Sequence, residues 1–186
     1  MSEATSTVMP EGVLGFWFSD AVRLKWYAKD DAFDALIRDR FGAASGAATA
    51  GALDGWAATA EGALALVILL DQVPRNIHRG TPGAFSGDGK ALQVAKAAIA
   101  KGLDAATPPD RRNFFYLPFM HSEALADQER GMTLYATNDV EDGLQYMTLH
   151  RDIIARFSRF PHRNAILGRA STPQELDFLQ QPGSSF

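Results

Sequence analysis

Side chains able to exchange protons near neutral pH are few in this chain and unevenly placed. It has four histidines and no cysteine, which excludes disulfides, thiolate catalysis and zinc sites built on sulfur. Three of the histidines stand in the stretches that could do acid–base chemistry: His121 in "FMHSE" (119–123), His150 in "TLHRD" (148–152) and His162 in "FPHRN" (160–164). Together with Asp71 and Glu123 they form the candidate acid–base set for a hydrolase or transferase: Asp71, His121, Glu123, His150 and His162, in some combination. His121 and Glu123, two positions apart, do not share a helix face. They converge only in extended chain, and Pro118 just upstream supplies a reason for a local break. A structural assignment competes, in which Ser122 caps the following helix and Glu123 sits in its first turn, where the dipole favours a carboxylate. The chain lacks HExxH, a histidine pair at i,i+4 and an acidic cluster at ligand spacing. Neither a metal nor a cofactor is expected.

The second source of chemistry is positive charge gathered beside prolines. "RFSRFPHRNAILGR" (156–169) holds four arginines and a histidine in a chain of net charge −4, and "DQVPRNIHR" (71–79) repeats its Pro, Arg, Asn theme. A residue before proline is driven out of the α region, so helices are expected to end at or before Val73 and Phe160. The following arginines then cap the last carbonyls, and Asn76 or Asn164 takes the left-handed conformation. That account leaves His162, Arg163 and Arg169 unexplained. Residues 150–169 contain five arginines and one acid, Asp152. Asp71 closes a strongly apolar stretch and needs a cationic partner; Arg159 or Arg163 is expected, leaving Arg75 for a ligand. Guanidinium charge not neutralised internally grips carboxylate or phosphate through parallel bonds.

The leading expectation is therefore a binding module. Its Arg/His-rich pocket, formed by Arg75, Asn76, Arg159, His162, Arg163 and Asn164, takes a small anionic ligand or a carboxylate-bearing peptide. The enzyme above is one rival. The other is a structural or interaction protein whose arginines are all paired internally.

Helices must position these groups. Helical spacing marks 10–18, with Pro10 at its start, and 30–41, where Phe33, Leu36, Ile37 and Phe41 share a face. The Ala/Gly-rich stretch 42–55 has no apolar period and reads as a loop. Residues 54–72 become apolar all round, the pattern of a central helix. Ser86 or Asp88 is placed to cap the next helix, 90–103, which ends near Gly102. Segment 108–123 is expected to break or kink at Pro118. Helices follow over 123–137, 140–160 and 172–180, the last capped by Thr172 with Pro173 behind it. On 140–160, His150 falls in the apolar arc with Met147 and Ile154, so it is expected to be buried with a lowered pKa. Asp152, Arg156 and Arg159 fall on the opposite, solvated face. No segment alternates with period two. The fold class is all-α, antiparallel helical hairpins in one domain over 1–186.

Composition is that of a globular protein, with 46% apolar and 22% charged residues. "ALALVILL" (63–70) is far too short to span a bilayer. "MSEATSTVMPEG" lacks the regions of a signal peptide, giving an expected cytoplasmic location. An acidic balance makes nucleic acid an unlikely partner. Oligomeric state is not legible.

Four stretches, "LGFWF" (14–18), "LLDQVPRNIHRG" (69–80), "FFYLPFMHSE" (114–123) and "RFPHRNAILGR" (159–169), together resemble the bacterial domain of unknown function 924 family over nearly the whole chain. The resemblance implies a tetratricopeptide-like arrangement of helical hairpins and supplies no established reaction. Asp71, Gln72, Pro74, Arg75, Asn76, His121, Ser122, Glu123, Pro161, His162, Arg163 and Asn164 match its signature motifs. Val73 stands where that family is expected to carry phenylalanine.

Overall fold

The computed structural model describes residues 8–138, 140 and 142–185. Among these no strand occurs, and the chain is all helical, as its periodicity requires. Helices α1 (Pro10–Trp17), α2 (Asp20–Arg23) and α3 (Asp31–Thr49) lead through a 3-10 turn at Asp54–Ala58 into α4 (Ala60–Val67). A π-turn at Ile68–Gln72 joins α4 directly to α5 (Val73–Ile77). Then follow α6 (Asp88–Ala100), α7 (Pro109–His121), α8 (Leu125–Tyr135), α9 (Gly143–Phe157) and α10 (Pro173–Leu179). Short connections bring α6, α7, α8 and α9 together pairwise in sequence order, while α3 packs on α5 and α1 on α4.

The rod from α4 through α5 runs through the core. Ala63 to Leu70 are all buried, as expected of a segment apolar all round. Trp17, Ile37, Phe41, Phe114, Phe115 and Phe119 pack around it in the main apolar cluster. Ile153, Ile154 and Phe160 form a smaller cluster under the C-terminal segment.

In the first half of the chain two expected interruptions do not occur. The first is the loop over 42–55: α3 continues to Thr49. Its inner stripe is small rather than greasy, with Ala44, Ser45 and Ala48 buried, so it lets backbones approach where a hydropathy period shows nothing. The second is the helix end before Pro74. The chain passes Pro74 in helical conformation because the preceding turn widens, and Val73 N–H bonds Ile68 O five residues back. In that register the Leu69 carbonyl would look to Pro74, which has no N–H. The Ser45 hydroxyl supplies the missing donor at 2.8 Å.

Helix α7 likewise continues through Pro118 and ends only after His121. Its last carbonyls are satisfied by fully buried Gln128, whose Nε2 donates to Phe119 O, Met120 O and Ser122 O at 3.2, 2.8 and 2.6 Å. Two other ends follow expectation, whereas α6 starts at Asp88 after Gly87 with no side-chain cap from Ser86 or Asp88. Thr172 and Glu175 form a capping box on α10, and Gly102 takes φ +70° after α6. The left-handed residue that ends α9 is Ser158, not Asn164, and Asn76 has no positive φ either.

Candidate functional site

Widening at the π-turn places Asp71, which is fully buried, at the meeting of α5, α6 and α7. Its Oδ2 accepts from Gln72 Nε2 at 2.6 Å. Its Oδ1 accepts from Arg75 NH1 at 3.2 Å and lies 2.8 Å from His121 Nδ1. Arg75 NH1 also donates to the Asp71 carbonyl at 2.6 Å. The expected pairing of Asp71 with Arg159 or Arg163 is thus replaced by one with Arg75, four residues along the same helix, and with His121. Burial alone would raise the Asp71 pKa, but Arg75 and His121 outweigh it and hold the carboxyl below its usual range. An ionised carboxylate only accepts, so Nδ1 of His121 carries the proton and Nε2 carries the lone pair. Burial first, and Arg75 second, lower the His121 pKa, so the ring is neutral at physiological pH.

Arg75 is not left for a ligand. It forks onto Asp88 at 2.8 and 3.0 Å, the first residue of α6. Gly87 makes this approach possible, since a Cβ there would lie 2.0 Å from Leu70 O. Arg163 reaches the same Asp88 only at 3.5 Å. Its guanidinium carbon lies over the rings of Phe85 and Phe160, 4.6 and 4.5 Å from their centroids. It is 7% exposed, and its buried Nε–H meets no acceptor among the described residues. Burial, then Arg75, push its pKa down to about 10.

A closed circuit results. From Asp71 it runs to His121, whose ring lies 6.5 Å from that of His150. His150 meets Phe160 edge-on at 5.6 Å, and Phe160 leads to Arg163, Asp88, Arg75 and back to Asp71. His162 flanks Phe160 at 5.6 Å. His150 is buried as expected, its Nδ1–H donating to Tyr146 O at 2.8 Å. Burial pushes its pKa down to about 3 and that of His162 to about 4.

Other residues of the expected pocket have different work. Glu123 accepts the Phe160 N–H at 2.8 Å and the Arg169 fork at 2.7 and 2.9 Å, tying the C-terminal segment to the α7–α8 corner. Asn164, fully buried, bonds Ser171 and Arg169 within the same clasp. Arg159 forks onto Glu175 at 2.6 and 2.7 Å, under α10. Asn76 points away from the circuit, bonding Asp34 at 2.7 Å beside Arg79. Together they line a polar cleft of about 470 Å³ with Arg38 and Lys29. A second cleft, about 330 Å³, lies between α3 and α5 around Ser45, Thr49 and His78. Ser122 bonds Asp127 and the Ala124 N–H, two residues before the α8 cap position. Asp88 read only as a helix cap in the sequence, and Phe85, Phe160 and Gln128 carried no signal. Among the described residues no three potential ligands gather as a metal site, and no helix is long and apolar enough to cross a membrane.

Comparison with known proteins agrees with this architecture. The chain is similar to a solved structure of a protein of unknown function from Agrobacterium tumefaciens, with 45% identity over 92% of this chain and 96% of that one, and a TM-score of 0.88. No curated protein matches. Residues 13–183 match the family described as bacterial proteins of unknown function, DUF924. The chain belongs to that family.

Proposed function

We propose that the protein is a binding module for a small anionic ligand, free or as the carboxylate of a peptide, taken at the junction of α5, α6 and the segment after α9. The observation that carries this reading is Arg163. Arg159 and Arg169 each hold a carboxylate with two short bonds, and Arg75 holds Asp88 in the same way. Arg163 alone of these four is buried with one long carboxylate contact and an orphan Nε–H. A buried guanidinium in that condition is costly until an acceptor arrives. The rings of Phe85 and Phe160 lie against the guanidinium, and a carboxylate that meets its Nε–H edge does so with the geometry of a fork. His162 flanks Phe160 at this position.

Titration calorimetry with succinate, acetate and phosphate tests the reading. Binding is expected in the wild type and should weaken at least about tenfold in Arg163→Ala, the loss of a charge-assisted bond. It should be unchanged in Arg159→Ala, whose partner is Glu175. No heat with any of the three anions, or equal affinity in Arg163→Ala, would refute it.

A further inference from the structure

We infer that Asp71 and His121 form a general-base pair that activates water against an ester bond of a carboxylate-bearing ligand; this rests on Arg163 as the ligand's anchor. Three features converge on the pair. The first is geometry. Asp71 is fixed from three sides, by Gln72, Arg75 and His121, and it fixes the imidazole tautomer that presents Nε2 as acceptor. The His121 side chain is 14% exposed, and no described residue bonds its Nε2. The second is the helix itself. A π-turn inside an otherwise regular helix is costly and concentrates at functional positions. Here it falls on Ile68–Gln72, the turn that carries Asp71, and it is sustained by a donor from another helix, Ser45. The third is the circuit, which links His121 to Arg163 in both directions, through His150 and Phe160 and through Asp71, Arg75 and Asp88.

Charge selects the ligand class. Asp71, Asp88 and Glu123 balance Arg75, Arg163 and Arg169, so the site is neutral with its histidines neutral. A singly charged carboxylate adds one negative charge, which favours the imidazolium formed during reaction. A phosphate dianion concentrates two charges on one group beside three existing carboxylates, whereas succinate carries its two on separate carboxylates and brings only one of them to Arg163. In the proposed step a water O–H proton passes to His121 Nε2 as the water oxygen bonds to the ester carbonyl carbon. When the carbon–oxygen ester bond breaks, the leaving oxygen keeps the electron pair and takes that proton from Nε2–H. His121 is the catalytic base, and Asp71 is a positioning residue.

Mono(4-nitrophenyl) succinate and 4-nitrophenyl phosphate serve as probes with the full chain, alongside calorimetry with succinate. Release of nitrophenol from the succinate ester above buffer is expected, with kcat/KM falling as acid protonates His121. His121→Gln should lower kcat about 10²–10⁴-fold and retain succinate binding, which also shows that the variant is folded. Asp71→Asn should lower kcat and displace the pH profile, a change that loss of packing alone would not produce. Arg163→Met should act mainly on KM. Succinate binding without turnover, or equal turnover in His121→Gln, overturns the base pair and leaves the anion reading standing. Turnover lost in His121→Gln when no anion binds upholds the pair and removes Arg163 as anchor. Turnover of the phosphate alone overturns the choice of carboxylate.

Discussion

Asp71 Oδ1 and His121 Nδ1 lie 2.8 Å apart across 50 positions of sequence, joining the π-turn of the central rod to the last residue of α7. Asp71 is fully buried and is held by Gln72 and Arg75 as well, while the His121 side chain keeps 14% exposure. Asp71→Asn should therefore destabilise the protein by about 3–5 kcal/mol, the cost of breaking a buried ionic network on one side. Urea denaturation of Asp71→Asn, Arg75→Met and the double variant should show strong coupling. Asp71→Asn combined with Arg159→Ala should be additive, because Arg159 belongs to Glu175.

Acid stability reports the three histidines at this junction. Burial leads the lowering of His121, His150 to about 3 and His162 to about 4. The unfolded chain then binds protons below about pH 6.5 that the folded chain does not. Their contribution is full above the unfolded pKa and is lost as pH falls toward the folded one. His150 alone should remove about 1.4 kcal/mol per pH unit between pH 6 and 4. Chemical denaturation across that range should show a falling midpoint, with a shallower slope in His150→Gln.

The π-turn depends on a single side-chain donor. In Ser45→Ala the buried Leu69 carbonyl loses its partner, and no proline N–H can replace it. A loss of about 1–3 kcal/mol is expected, the desolvation cost of an unsatisfied buried acceptor. Thermal denaturation of Ser45→Ala beside Thr49→Ala, whose hydroxyl bonds the Ser45 carbonyl of its own helix, separates this from general loss of a helix hydroxyl.

These contacts explain what the sequence carried and what it did not. The apolar arc of α9, the cap at Thr172 and the helical start at Asp31 follow from local periodicity and local bonding, and all are legible in a short window. Burial of His150 was legible for the same reason. The continuation of α3 to Thr49 was not, because Ala44, Ser45 and Ala48 are chosen for close approach to the central rod rather than for hydropathy. The rule that a helix stops before proline failed at Pro74 because the exception is made by Ser45, a residue on another helix. Partner choice among the arginines was illegible for most pairs, since Glu175 and Glu123 meet Arg159 and Arg169 only after the C-terminal segment folds back. The i,i+4 spacing of Asp71 and Arg75 was a usable signal, yet the prospect of a long-range partner obscured it.

Arg163 offers the sharpest separation between a structural and a recruiting role. A structural arginine is missed when it is removed, because its carboxylate is left buried and alone. Arg159→Met should destabilise for that reason, since Glu175 takes both of its short ionic bonds from Arg159. Asp88 is in a different position, because Arg75 keeps its two bonds there whatever happens at 163. Arg163→Met removes a buried cation with an orphan Nε–H and leaves an apolar stem against Phe85 and Phe160, where methionine packs well on rings. Replacement of a buried charge by an apolar side chain of similar volume is often neutral or stabilising, by about 1–4 kcal/mol. The unliganded Arg163→Met protein should accordingly unfold at the same or a higher denaturant concentration than the wild type, while losing anion binding. A clear drop in its midpoint, comparable to that of Arg159→Met, would assign Arg163 to the scaffold and remove the observation on which the binding site rests.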